Sequence, residues 1–192
     1  MKLYESLPDS VIVNGRRIKL DLDFRNVLRM MDILQTDDLT SEAREWLALK
    51  CICRHPRKGM LEAVKNLLFV PGEHKARERV MDFVQDADLI RAAFEQAYGI
   101  DLTEERVHWL RFLYLLAGLP ENTRISEVIS IRSRPIPEPT KYNQKEIQAL
   151  IEAKTAVALR MSEEERMSRY RRDVMGVAAL LINMAEGSGA DG

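Results

Sequence analysis

The stretch Phe83-Val84-Gln85-Asp86-Ala87-Asp88-Leu89-Ile90-Arg91-Ala92-Ala93-Phe94-Glu95-Gln96-Ala97-Tyr98-Gly99 reads as one amphipathic helix that stops on a glycine. Leu89, Ile90, Ala93, Phe94 and Ala97 gather on one face at the 3.6-residue period, which predicts a helix from about Phe83 to Tyr98. Asp86 and Asp88 stand near its start, where carboxylates favour the positive end of the helix dipole. Gly99 is placed as the left-handed residue that ends such a helix.

The same period governs most of the flanking chain. Downstream, Asp101 or Thr103 is expected to cap a helix carrying Val107, Leu110, Phe112, Leu113 and Leu116, closed by Gly118 and Pro120. A shorter helix is expected from Ser126 to Ile131. Upstream, Asp23 is placed to cap a helix with Phe24, Val27, Leu28, Met31 and Leu34 on one face. Thr40 or Ser41 begins another, which carries Trp46, Leu47, Leu49, Lys50 and Ile52 and ends by Pro56. A further helix holds Met60, Leu61, Val64, Leu67 and Leu68, and the charged stretch from Glu73 to Arg79 reads as an exposed loop.

One strong β signal interrupts this pattern. Val11-Ile12-Val13 and Arg16-Arg17-Ile18-Lys19-Leu20 flank Asn14-Gly15, a pair suited to a two-residue turn with positive φ at both positions. The expected class is therefore mainly α, a multi-helix body with an N-terminal β-hairpin and a C-terminal helical tail. The body runs over 1–134. Pro135-Ile136-Pro137-Glu138-Pro139 cannot be helical and makes 135–140 a stiff spacer. The tail occupies 141–192, helical from about Asn143 to Met184 with a break before Ser162, which with Glu165 forms a capping box.

Composition narrows the function classes. Of 192 residues 46% are hydrophobic and 31% charged, which is globular composition. The net charge of −1, from 29 basic and 30 acidic side chains, gives no general pull toward nucleic acid or anionic lipid. The longest nearly apolar run, Val174 to Ala185, falls short of the roughly 20 residues that span a bilayer. Two cysteines, Cys51 and Cys53, stand too close together to staple distant elements, and the chain opens without an apolar leader. These features together lead to the expectation of a cytoplasmic protein that binds neither nucleic acid nor membrane.

Candidate chemistry is sparse. Cys51-x-Cys53-x-His55, with His74 as a possible fourth ligand, resembles a zinc set, but on an unbroken helix Cys53 lies opposite Cys51 and His55. His108 beside Trp109 has no Ser or Cys nucleophile motif around it and reads as packed or hydrogen-bonded. No glycine pattern suits a phosphate cradle. The expectation is no enzyme, no metal and no cofactor. Two basic knots, Arg54-His55-Pro56-Arg57-Lys58 and Arg166-Met167-Ser168-Arg169-Tyr170-Arg171-Arg172, are able to touch phosphates, yet the second follows three glutamates, as solvated helix faces do.

The tail carries a clearer signal. Met167, Tyr170, Val174, Val177, Leu181 and Met184 repeat at alternating spacings of three and four, the pattern of a heptad seam. Ala178, Ala179, Leu180 and Ile182 make its last turns apolar nearly all round, so this helix is expected to be buried on its own body, on a second copy or on a partner.

Several motifs together resemble one family. They are Leu7-Pro8-Asp9-Ser10-Val11 with Asn14-Gly15, then Asp23-Phe24-Arg25 with Leu28. The middle adds Phe83-x-Gln85-Asp86-x-Asp88-x-Ile90-x-Ala92-Ala93-Phe94 and Tyr98-Gly99-Ile100-Asp101-Leu102. His108-Trp109-x-x-Phe112, Leu115-Leu116-x-Gly118-Leu119-Pro120 and Ile129-x-Ile131-Arg132 complete the set. The sequence is similar over about 7–140 to tailed-phage proteins encoded between the major tail protein and the tape-measure protein, also found in prophages of Gram-positive bacteria. The resemblance implies a tail-assembly chaperone acting in the cytoplasm of the infected or lysogenic host. Its partners would be the tape-measure protein, other tail-assembly proteins or itself. A structural tail component retained in the virion and a helical nucleic-acid-binding regulator are the alternatives. Within the motifs, Gln85, Asp86, Asp88, Phe94, Tyr98, Gly99, Asp101, His108, Trp109 and Phe112 are expected to act structurally, and the heptad seam to bind the partner.

Overall fold

A computed structural model describes residues 4–69 and 79–160. The chain divides into two units, Met1–Arg134 and Pro135–Gly192.

The first unit opens with a hairpin of β1 (Ser10–Val13) and β2 (Arg16–Lys19), antiparallel with Val11 opposite Ile18 and Val13 opposite Arg16. Asn14 and Gly15 take φ of 50° and 72°, the pair of left-handed residues that lets a two-residue loop follow the strand twist. Val11 and Val13 turn inward, whereas Ile12 is exposed. β1 packs against a helix, which supplies what a lone hairpin lacks in water.

Among the described residues six helices follow: α1 (Phe24–Leu34), α2 (Ser41–Ile52), α3 (Met60–Leu68), α4 (Ala87–Tyr98), α5 (Trp109–Ala117) and α6 (Arg124–Ser133). The helix under β1 is α3; α1 packs along α2, and α4 packs against α5 and α6. Asp23 caps α1 by accepting the Arg25 amide at 3.0 Å, and Thr40 caps α2 by accepting the Ala43 amide at 3.3 Å. Gly99 ends α4 at φ 65°.

Several boundaries differ from the sequence reading. The fourth helix begins at Ala87 rather than near Phe83, because Asp82 folds 82–85 into a turn by accepting the Val84 and Gln85 amides. The cap of α5 is His108, not Asp101 or Thr103: Asp101 instead closes its own turn by accepting the Thr103 amide and hydroxyl at 2.7 and 2.6 Å. The last helix of the unit is longer than Ser126–Ile131, starting at Arg124 after buried Thr123, whose hydroxyl bridges the Pro120 carbonyl and the Ser126 hydroxyl.

On α2 the inward residues are Ala48, Leu49 and Ile52, while Trp46 and Leu47 face solvent. Met30 is fully buried on α1, one position before the Met31 that the periodicity selects. The core gathers side chains from the hairpin and all six helices, with Trp109, Phe94, Phe112 and Met30 the largest of its sealed members.

In the second unit 135–140 has no regular secondary structure, and α7 spans Gln144–Ala156. Asn143 ties the two together: its side-chain carbonyl accepts the Thr140 amide at 2.6 Å and its amide group donates to the Glu138 carbonyl at 2.9 Å. The helix ends at Ala156, before Ser162. Among the described residues no helix is long and apolar enough to cross a membrane.

Candidate functional site

The motif residues Phe94, Trp109 and Phe112 meet in a column of aromatic rings. Phe112 stacks on Phe24 at 4.7 Å between centroids and on Phe94 at 5.2 Å, and Trp109 lies 5.9 Å from Phe112. Phe83 approaches Trp109 and Phe112 from the turn before α4, at 6.2 and 6.0 Å. Offset contacts at these separations add to the area term that aromatic burial already supplies. The Trp109 indole N–H is buried and donates to the Leu68 carbonyl at 3.2 Å, so α5 is fastened to the end of α3. Tyr98 donates its hydroxyl to the Leu115 carbonyl at 2.8 Å and so joins the end of α4 to the end of α5. A Cβ on Gly118 would meet the Tyr114 carbonyl at 3.3 Å and touch the Tyr98 hydroxyl at 3.4 Å.

Two ionic nodes flank the column. Asp86 is buried and receives Arg132 through both terminal nitrogens, at 2.7 and 2.9 Å. It also accepts the Asp82 amide at 2.9 Å, and Arg132 reaches the Val80 carbonyl at 3.1 Å. Burial pushes the Asp86 carboxyl up, but the Arg132 hydrogen bonds, the Asp82 amide and the charges of Arg132 and Arg79 outweigh it and hold the pKa below its ordinary value. The residue stands at the N-terminus of α4 without acting as a side-chain cap. Asp88 is exposed and pairs with Arg91 at 3.0 Å, while Gln85 is exposed on the preceding turn.

The second node joins the end of the hairpin to the start of α5. Phe24 donates its amide to the Val107 carbonyl at 2.9 Å, and Trp109 donates to Leu22 at 2.7 Å. His108 has two fixed partners. Its Nδ1 accepts the Leu110 amide at 3.2 Å, which places the proton on Nε2, and Nε2 then donates to the Pro8 carbonyl at 3.0 Å. Beside it, Asp23 holds Arg25 at 2.9 Å and Arg106 holds Asp21 at 2.6 Å. Burial raises the Asp23 carboxyl and its hydrogen bonds with Arg25 lower it further than that, so its pKa is also depressed. Asp21, Leu22, Asp23, Arg106, Val107 and His108 line an open cavity of about 180 Å³.

The carboxylates and the imidazole here are engaged in holding backbone and arginine, and the arrangement locks elements together. Cys53 is buried at the extended end of α2, because that helix stops at Ile52 rather than running to Pro56. Cys51 stays on α2 with its thiol toward the Leu47 carbonyl, and burial raises its pKa. Among the described residues no three His, Cys, Asp or Glu side chains are placed to hold a metal ion. The heptad seam of Met167, Tyr170, Val174, Val177, Leu181 and Met184 lies outside the described residues, as do His74 and the second basic knot. The sequence motif contained Arg132 without a role; its partner lies 46 residues away, and no local pattern pairs them.

The fold and this interlocked centre define a mainly α-helical protein with a small hairpin, in which Phe94, Trp109 and Phe112 are buried in the core and Asp86 is buried against Arg132. The chain matches the family model described as Bacteriophage Gp15 protein over residues 3–159. It therefore belongs to the bacteriophage Gp15 family and is a phage protein. Neither the curated proteins nor the solved structures gave a match to it.

Proposed function

We propose that this phage protein is a tail-assembly chaperone, a non-catalytic factor that binds the tape-measure protein in the host cytoplasm before the tail tube closes around it. Membership of the Gp15 family carries the reading. Two features support it. The aromatic motif side chains Phe94, Trp109 and Phe112 are spent on internal packing, while Ile12, Trp46, Val84 and Tyr114 are individually more than half exposed on the first unit. In the tail, the seam Met167, Tyr170, Val174, Val177, Leu181 and Met184 offers the spacing that docks a partner helix, and its methionines suit a long, varied target.

The test is co-expression of the tagged full chain with the tape-measure protein of the same phage, followed by pull-down and by mass spectrometry of purified virions. A chaperone co-purifies with the tape measure and is missing from finished particles. Stoichiometric recovery from virions would make it a structural tail component instead, and absence of any tape-measure complex would overturn the assignment.

A further inference from the structure

Two basic stretches far apart in sequence extend from a shared backbone contact. Asp21, just beyond β2, donates its amide to the Ile52 carbonyl at 2.8 Å, and this bond sets the end of the hairpin against the end of α2. The hairpin contributes Arg16, Arg17 and Lys19, and the segment after α2 contributes Arg54, Arg57 and Lys58, all exposed. At about 3.3 Å per strand residue, Arg17 lies roughly 13 Å along β2 from Asp21. Elsewhere in the unit Arg25, Arg44, Arg79, Arg91, Arg106, Arg124 and Arg132 each hold a carboxylate, while Arg29, Arg111 and Arg134 stand singly without an ion pair among the described residues. In the basic patch, Lys19 reaches Asp9 at 3.9 Å, and among the described residues Arg16, Arg17, Arg54, Arg57 and Lys58 have no acidic partner.

The strand edge adds a second observation. Leu20 donates to the Asp9 carbonyl, so hydrogen-bonded pairs alternate from there through Ile18–Val11 to Arg16–Val13. The amides and carbonyls of Arg17 and Lys19 therefore point away from β1. Asp21 shares that parity, and its amide is the one Ile52 takes. Among the described residues the backbone groups of Arg17 and Lys19 have no such partner. An open strand edge bordered by uncompensated cations recruits an extended chain of opposite charge.

Resting on the reading of the protein as a partner-binding assembly factor, we propose that the outer edge of β2, with the Arg54–Lys58 segment beside it, docks an acidic, extended polypeptide segment by strand addition. Main-chain hydrogen bonds to Arg17 and Lys19 give register, and the surrounding cations select aspartate and glutamate. The unpaired backbone row favours a polypeptide over a nucleic acid, which would use the cations alone.

The experiment uses the full chain and a fluorescein-labelled peptide of alternating glutamate and valine, read by anisotropy. Three comparison probes accompany it: the same peptide N-methylated on one edge, its lysine counterpart, and a single-stranded oligothymidine. The glutamate peptide should bind, weaken with salt, and lose at least about tenfold in affinity in Arg17→Glu/Lys19→Glu and in Arg54→Glu/Arg57→Glu, with circular dichroism and urea midpoints confirming that both variants fold. N-methylation should abolish binding. Absence of glutamate-peptide binding, equal binding of the N-methylated peptide, or tighter binding of the oligothymidine would each overturn the proposal. If both folded variants still co-purify with the tape measure as the wild type does, the chaperone reading stands apart from the fate of this site.

Discussion

Arg132 on α6 grips Asp86 at the start of α4 with two charge-assisted hydrogen bonds, and both side chains are withdrawn from water, at 11% and 3% exposure. Two helices whose sequences give no sign of each other are thereby clamped through a single planar contact. Removing one partner deprives the other buried charge of this pairing. Asp86→Ala and Arg132→Ala should each cost about 3–5 kcal/mol, and the double replacement Asp86→Leu/Arg132→Met should recover much of that loss. Urea denaturation of the wild type, the two alanine variants and Asp86→Ala/Arg132→Ala gives the coupling energy; additive losses would show that the pair is not a unit.

The same pair makes stability depend on acid. The Asp86 carboxyl has a pKa below its ordinary 3.8 in the folded chain, and Asp23 behaves alike. The unfolded chain thus binds these protons more readily than the folded chain does. The stabilisation is fully present above the ordinary value and is lost as pH falls through the depressed folded values. Urea midpoints should hold near neutrality and fall steeply from about pH 4 downward. Asp86→Asn should flatten the acid limb; an unchanged limb in that variant would remove Asp86 from the account.

Gly99 gives a cleaner backbone test. Its φ is 65°, and a Cβ placed there would meet no atom within 4 Å. Any loss on substitution is therefore backbone strain rather than collision. Gly99→Val should cost on the order of 1–2 kcal/mol or more, and Gly99→Asn distinctly less, since asparagine tolerates the left-handed region. Equal midpoints for the two variants would contradict this.

How much of this was legible in the sequence follows from how local each signal is. Asn14-Gly15 and Gly99 declare a backbone conformation that few other residues take, so the hairpin and the end of α4 could be read directly. The start of α4 could not. The face of Ile90, Ala93 and Phe94 extends back to Phe83 by spacing alone, and only the Asp82 turn, held partly through Asp86, stops it. On α2, Trp46-Leu47-Ala48-Leu49 is apolar on every side. Period cannot choose a face there, and packing against α1 and α3 chose Ala48 and Leu49. The His108 cap was hidden because imidazole is an uncommon N-cap and Asp101 and Thr103 offered stronger ones. The ionic nodes and the basic patch needed tertiary structure, since their members come from distant segments.

Trp109 combines area with one hydrogen bond. Its ring is sealed between Phe83, Phe69 and Phe112, and its N–H reaches Leu68. Trp109→Ala should cost about 3–5 kcal/mol. Trp109→Phe keeps an aromatic ring but orphans the Leu68 carbonyl and leaves space, and should cost less than Trp109→Ala. Calorimetric midpoints in that order would support the packing role, whereas a fully stable Trp109→Ala protein would refute it.

The final prediction separates the two units. The core of the first unit draws its buried and part-buried members from Leu7 to Ile129. A chain stopped after Pro139 retains every one of them, together with both ionic nodes. It should fold cooperatively with a urea midpoint close to that of the full chain, since side chains outside the cluster contribute little to its closure. The same truncation removes Met167, Tyr170, Val174, Val177, Leu181 and Met184, the seam proposed to engage the tape measure. Each Leu- or Val-sized contact buried in such a seam is worth roughly 1.5–3 kcal/mol, enough for a few of them to sustain association after its entropic cost. The truncated chain should therefore keep its thermal transition and lose tape-measure co-purification. Replacing Val174, Val177 and Leu181 by serine in the full chain should reproduce the binding loss with the transition intact. Were the truncated chain to unfold or aggregate, the tail would be part of the folded core, and the seam's hydrophobic residues would be accounted for by packing instead of by a partner.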